Sequence, residues 1–176
     1  MSATRVFAIV LVGVATTSVA RAASTPDLLR CQKGIHSRAG AFIKAVETAL
    51  TNCAYKIESC QLAQEIDGDD ATACLAAASA ACSSLSAKLP GLKSLYADKA
   101  LAACAVSVAD VAPYVAGLGM SSEIGACGAG TMHELVACVF TAAQCSAERT
   151  VFVLDARAQD ALTTAGIAGA HPCVGP

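Results

Sequence analysis

The chain has 176 residues, 55% of them hydrophobic, yet only 4% are aromatic and none is Trp. That length allows one domain or one elongated bundle, and a core of small, mostly Ala side chains favours α-helix, because Ala has the best helix propensity and no side-chain entropy to lose. A formal net charge of −2 without a basic stripe excludes a nucleic-acid binder.

Residues 1–22 have the pattern of a secretory signal peptide. Arg5 supplies the positive start, Val6 to Ala15 is an apolar run, and Ala20-Arg21-Ala22 fits small-x-small cleavage. The apolar run is shorter than the roughly 20 residues a spanning helix needs. The mature chain is expected to start at Ala23. The 12 Lys and Arg fall to 10 once Arg5 and Arg21 are removed, against 14 Asp and Glu, so it carries a net charge of −4. No later segment reaches spanning length without polar interruption.

The first helix is expected from about 26 to 65, with Thr25 as N-cap, Pro26 at N1 and Asp27 in the first turn. Ile35, Ala39, Phe42, Val46, Ala49, Cys53, Ile57 and Cys60 recur at steps of four or three, one apolar stripe over many turns. The acidic run Glu65 to Asp70 breaks it at Gly68. Asp69 or Asp70 then caps a second helix with the stripe Cys74, Ala78, Cys82, Leu85 and Leu89. Pro90-Gly91 predicts an interruption, and a third helix runs from Leu92 to about Cys104.

From Val106 to Gly130, Pro113 and two Gly-rich steps suggest short helices joined by turns. Thr131 and Glu134 form a capping box for a helix whose apolar side is Met132, Leu135, Val139 and Ala142. A last pattern, Val151, Leu154, Ala158, Ala161 and Ala165, stops at Gly166.

All ten cysteines lie beyond the expected cleavage point, and an even number in an exported chain reads as a disulfide framework. Residues seven or eight apart on a helix share a face but lie about 10–12 Å apart. Neither Cys53 and Cys60 nor Cys74 and Cys82 can therefore meet at one tetrahedral zinc, which holds sulfur at about 2.3 Å. There is no C-x-x-C for a redox or haem site.

In an antiparallel hairpin, facing positions have a nearly constant sum. Cys60 with Cys74, Cys53 with Cys82 and Cys31 with Cys104 keep that sum to within one residue. A three-rung ladder is expected. Of the remaining four, Cys138 and Cys145 are seven apart on one helix and cannot pair. That leaves Cys127–Cys138 with Cys145–Cys173, or Cys127–Cys145 with Cys138–Cys173. The first is preferred because Cys138 is the nearer target for Cys127.

The stretch Leu28 to Ile35, the C-x6-C at Cys53, and Ala137 to Cys145 (ACVFTAAQC) resemble a group of uncharacterised exported bacterial proteins that are helical and rich in Ala and Cys. The resemblance covers most of the mature chain and implies export and a helical fold, but no activity. The stapled hairpin is also similar in plan to twin C-x9-C hairpins, although its spacings are six and seven, so no function carries over.

Glu65, Asp67, Asp69 and Asp70 lack the EF-hand spacing and its distal Glu, and read as turn and cap. His36, His133 and His171 are isolated, and His133-Glu134 does not continue into H-E-x-x-H. No G-x-S-x-G or P-loop occurs.

The expected fold is all-α: a disulfide-stapled antiparallel helical hairpin, 23–105, extended into a small bundle by 106–176 of the same elongated domain. The expected role is an exported, periplasmic or extracellular, binding or structural module with an unknown protein or envelope partner. No enzyme activity, cofactor or metal is expected, and no membrane span after signal cleavage. The alternatives are a carrier of a hydrophobic small molecule and a thiol-based copper binder.

Overall fold

The computed structural model of the protein describes residues 23–113 and 117–166. The expected signal peptide, His171 and Cys173 lie outside the described residues. Among those, six α-helices and one π-turn occur and there is no strand, so the chain is all-α.

α1 (Thr25–Leu62) is the axis of the molecule. Its N-cap is Ser24, one residue before the expected Thr25, because Ser24 is the last residue with extended backbone angles. Leu28, Cys31, Ile35, Phe42, Val46, Leu50, Cys53, Ile57 and Cys60 are buried along it, the three-four stripe of a helix packed on one side. Regular α-helix stops at Leu62, earlier than the expected 65, and continues as a π-turn over Ala63–Asp67. Gly68 ends the turn at φ +73°, a left-handed conformation that glycine adopts without a Cβ penalty, and its N–H donates to the Gln64 carbonyl at 3.2 Å.

α2 (Thr72–Leu101) returns antiparallel to α1. Asp70, one of the two expected caps, lies one position before the observed N-cap, Ala71, and its Oδ1 accepts from the Thr72 N–H at 2.9 Å. Pro90-Gly91 does not divide this helix, contrary to the expectation of a third helix from Leu92. Pro90 is exposed and removes one donor from the ladder, whereas Leu89 and Ala100 on either side of it are buried. Disulfides at Cys82 and Cys104 hold both flanks on α1. Tertiary tethering outweighs the local breaker.

α3 (Val108–Val111) opens with a capping box between Ser107 and Asp110, and α4 (Ser121–Cys127) ends on left-handed Gly128. α5 (Met132–Leu154) opens with the expected Thr131–Glu134 capping box and runs on through Val151 to Leu154. The last expected helix is therefore split: Asp155 turns out to extended angles, and α6 (Ala158–Thr164) follows. The buried side of α5 is Met132, Leu135, Val136, Phe140, Ala143, Ala147 and Val151. Val139 is only half-buried and Ala142 is exposed, so the expected stripe was rotated from the true one.

α5 lies along α1, on which α2 and α6 also pack. The C-terminal part thus folds back on the hairpin. Three helices meet at Phe42, whose ring centroid is 5.6 Å from Phe140 and 6.0 Å from Tyr96, both tilted pairs. Burying one such ring contributes about 1.5–3 kcal/mol, which makes this the largest apolar anchor in an otherwise small-residue core. Ala54, Ala147, Ala158 and Ala161 are fully buried, which brings helix backbones close together. At Gly34 a Cβ would stand 2.5 Å from the Ala103 Cβ, so the turn after α2 lies close against α1 there.

Candidate functional site

The structure joins Cys31 to Cys104, Cys53 to Cys82 and Cys60 to Cys74, with Cα–Cα distances of 4.2, 5.3 and 5.7 Å. Cys127 bridges Cys138 at 5.9 Å, tying the end of α4 to the second turn of α5. Cys145 is also disulfide-bonded, and the expected Cys145–Cys173 bridge falls on a cysteine outside the described residues. No described cysteine is free. A thiolate is the form that attacks or binds soft metals, and a disulfide has none to offer.

The other expected candidates separate. Glu65 pairs with Arg157 at 2.8 Å, and Asp70 serves the start of α2. His133 sits exposed in the first turn of α5. Among the described residues no three His, Cys, Asp or Glu side chains are placed to hold a metal ion. No single described helix is long and apolar enough to cross a membrane.

Two features went unseen in the sequence. The first is a groove of about 470 Å³ between α1 and the segment that leads into α4. One wall is the α1 face with Gln32, Ile35, His36, Ala39, Gly40 and Ile43. The other is Leu118, Gly119, Met120 and Glu123, with Val139 of α5 as floor. The second wall is held in place by backbone bonds: the Leu118 and Met120 N–H groups donate to the Val111 carbonyl at 3.0 and 3.3 Å. Gly119, at φ +68°, donates to the Pro113 carbonyl at 3.0 Å. Ser121 Oγ donates to the Ala112 carbonyl at 2.6 Å.

At the rim, Glu123 Oε2 accepts from Ser122 Oγ at 2.8 Å. That bond and a backbone N–H hold the Glu123 carboxyl below its ordinary range. A groove of this size with apolar walls and a few polar groups has the form of a small-molecule site.

The second feature is a charged junction where the end of α1 meets the α5–α6 turn. Glu58 is half-buried, and burial, then the neighbouring Asp155 carboxylate, push its carboxyl up, opposed by Arg157. Arg157 is in turn raised by Glu65. On the adjoining helix Glu148 is fully buried, and Gln144 Nε2 donates to its Oε1 at 2.8 Å. The four-residue spacing of Gln144 and Glu148 inside an apolar face was the one sequence signal for this polar insertion.

No protein-family model, no curated protein and no solved structure matches this chain.

Proposed function

We propose that the protein is an exported, disulfide-braced helical module that binds or supports a partner in the periplasm or outside the cell, and that it is not an enzyme. The observation that carries this reading is the ladder: two rungs fix α1 against α2, a third ties α1 to the turn just after α2, and every described cysteine is bridged. Such density of disulfides persists in oxidising compartments and stiffens a scaffold whose small side chains bury little area each. The apolar start of the sequence supports export by the same route, as does the resemblance to exported Ala- and Cys-rich proteins.

The test is the intact mass of protein recovered from the producing cell. The reading expects a chain that begins at Ala23 and takes up no alkylating reagent before reduction. A chain that begins at Met1 with ten alkylatable cysteines contradicts it. Capture of an envelope component by the native protein, lost on reduction, would identify the partner.

A second reading, a carrier of a hydrophobic small molecule, is favoured by one specific observation: the groove beside α1. A thiol-based copper store has no such support, since the described cysteines are consumed in bridges.

A further inference from the structure

We propose that the groove between α1 and the Leu118–Glu123 segment is a binding site for a single-chain amphiphile with an amine headgroup. The proposal deepens the carrier reading and rests on it.

The shape comes first. Along α1 the groove extends from Gln32 to Ile43, about 16 Å at the rise of an α-helix. Its volume of about 470 Å³ lies inside the roughly 300–1,000 Å³ range of small-ligand sites. Ile35, Ile43, Leu118 and Val139 supply apolar walls, and Met120 adds an unbranched, adaptable side chain.

Gly40 also shapes the groove. It lies in the interior of α1, where glycine costs about 0.5–1 kcal/mol relative to Ala. Gly34 in the same helix has a packing reason, the close approach of Ala103. Gly40 has none: a Cβ there would meet nothing within 4 Å. What the missing side chain leaves open is the groove itself, since Gly40 is part of its wall.

Charge selects the headgroup. Among the described residues, His36 and Glu123 are the titratable groups lining the groove, with no Lys or Arg beside them. The Ser122 hydroxyl stabilises Glu123 as a carboxylate. An anionic head would meet the like charge of Glu123, whereas an ammonium would find that carboxylate, with the Gln32 amide as a further hydrogen-bond partner.

The experiment uses the mature, fully disulfide-bonded protein and three ten-carbon probes, decylammonium, decanol and decanoate, followed by methyl NMR. Decylammonium is expected to shift Ile35, Ile43, Leu118, Met120 and Val139 saturably, with decanoate about tenfold weaker. Glu123→Gln should bring decylammonium down to the affinity of decanol, a loss of roughly three- to fivefold for one exposed ion pair. Gly40→Phe should abolish the shifts with the melting transition retained; Gly40→Leu repeats the block with a smaller side chain.

Equal binding of decanoate overturns the proposal. So do shifts confined to exposed apolar residues such as Ile66 and Val153, or unchanged affinity in Gly40→Phe. Failure of all three probes on protein whose thiols are all bridged refutes the groove site and leaves the exported-module reading standing.

Discussion

Removal of the outer rung, Cys31→Ala with Cys104→Ala, is expected to cost about 4 kcal/mol from chain entropy alone. The two cysteines are 73 residues apart, but with Cys53–Cys82 in place the outer bridge closes only the arms 31–53 and 82–104. That is an effective loop of roughly 46 residues, worth about 4 kcal/mol in the chain-entropy model. The inner rung, Cys60–Cys74, spans 14 residues and is worth about 3 kcal/mol by the same relation. Burial widens the difference, because Cys31 is fully buried while Cys74 is exposed. Loss of the outer rung should also act locally. The end of α2 beyond Pro90 would keep Ala100 as its buried anchor but lose its covalent tether.

Urea unfolding of the oxidised variants, followed by far-UV circular dichroism, measures both costs. Hydrogen exchange locates the loss, with faster amides over 92–101 and protected amides in the inner hairpin. An outer-rung variant more stable than the Cys60→Ala, Cys74→Ala variant would refute the reasoning. So would exchange accelerated equally along α1 and α2.

The glycines of the long helices should respond with opposite signs. Gly34→Ala places a Cβ against Ala103 and is expected to destabilise by about 1–3 kcal/mol, whereas Gly91→Ala, which meets nothing, should stabilise by about 0.5–1 kcal/mol. Matching shifts in the two urea midpoints would contradict the packing described. Glu58 is held above its ordinary value of 4.5 by burial and Asp155, so the folded chain binds that proton more tightly than the unfolded chain. Its contribution is complete below about pH 4.5 and is lost as pH rises through the folded value. Glu58→Gln should therefore be more stable than the parent at pH 7, and the difference should shrink in acid; a variant less stable at pH 7 rules this out. Copper(I) or zinc added to the oxidised protein should bind weakly and without fixed stoichiometry, as calorimetry would record, and one tight equivalent would contradict the staple assignment.

The register of the hairpin was legible because helix geometry converts cysteine spacing into a pairing rule. Seven residues from Cys53 to Cys60 face eight from Cys74 to Cys82, and the structure pairs those same residues. The capping box at Thr131 was equally legible, since it needs only two residues at a fixed offset. Pro90 misled because a breaker is a local signal, while the bridges that hold α2 together come from α1. The face of α5 was misplaced for a related reason: in an Ala-rich helix Ala142 and Ala143 look alike, and only contact with α1 distinguishes them. The groove was invisible in one dimension, since it joins residues 32–43 to 118–123 and 139. Glu58 and Asp155 likewise meet only through the packing of α1 against the turn after α5.

An antiparallel disulfide ladder defines this fold. Peptide mapping of the native protein under non-reducing conditions tests it most directly. Linked peptides are expected for Cys31–Cys104, Cys53–Cys82, Cys60–Cys74 and Cys127–Cys138, with Cys145 linked to Cys173. Recovery of Cys53–Cys74 or Cys60–Cys82 peptides instead would contradict the antiparallel register and the fold built on it.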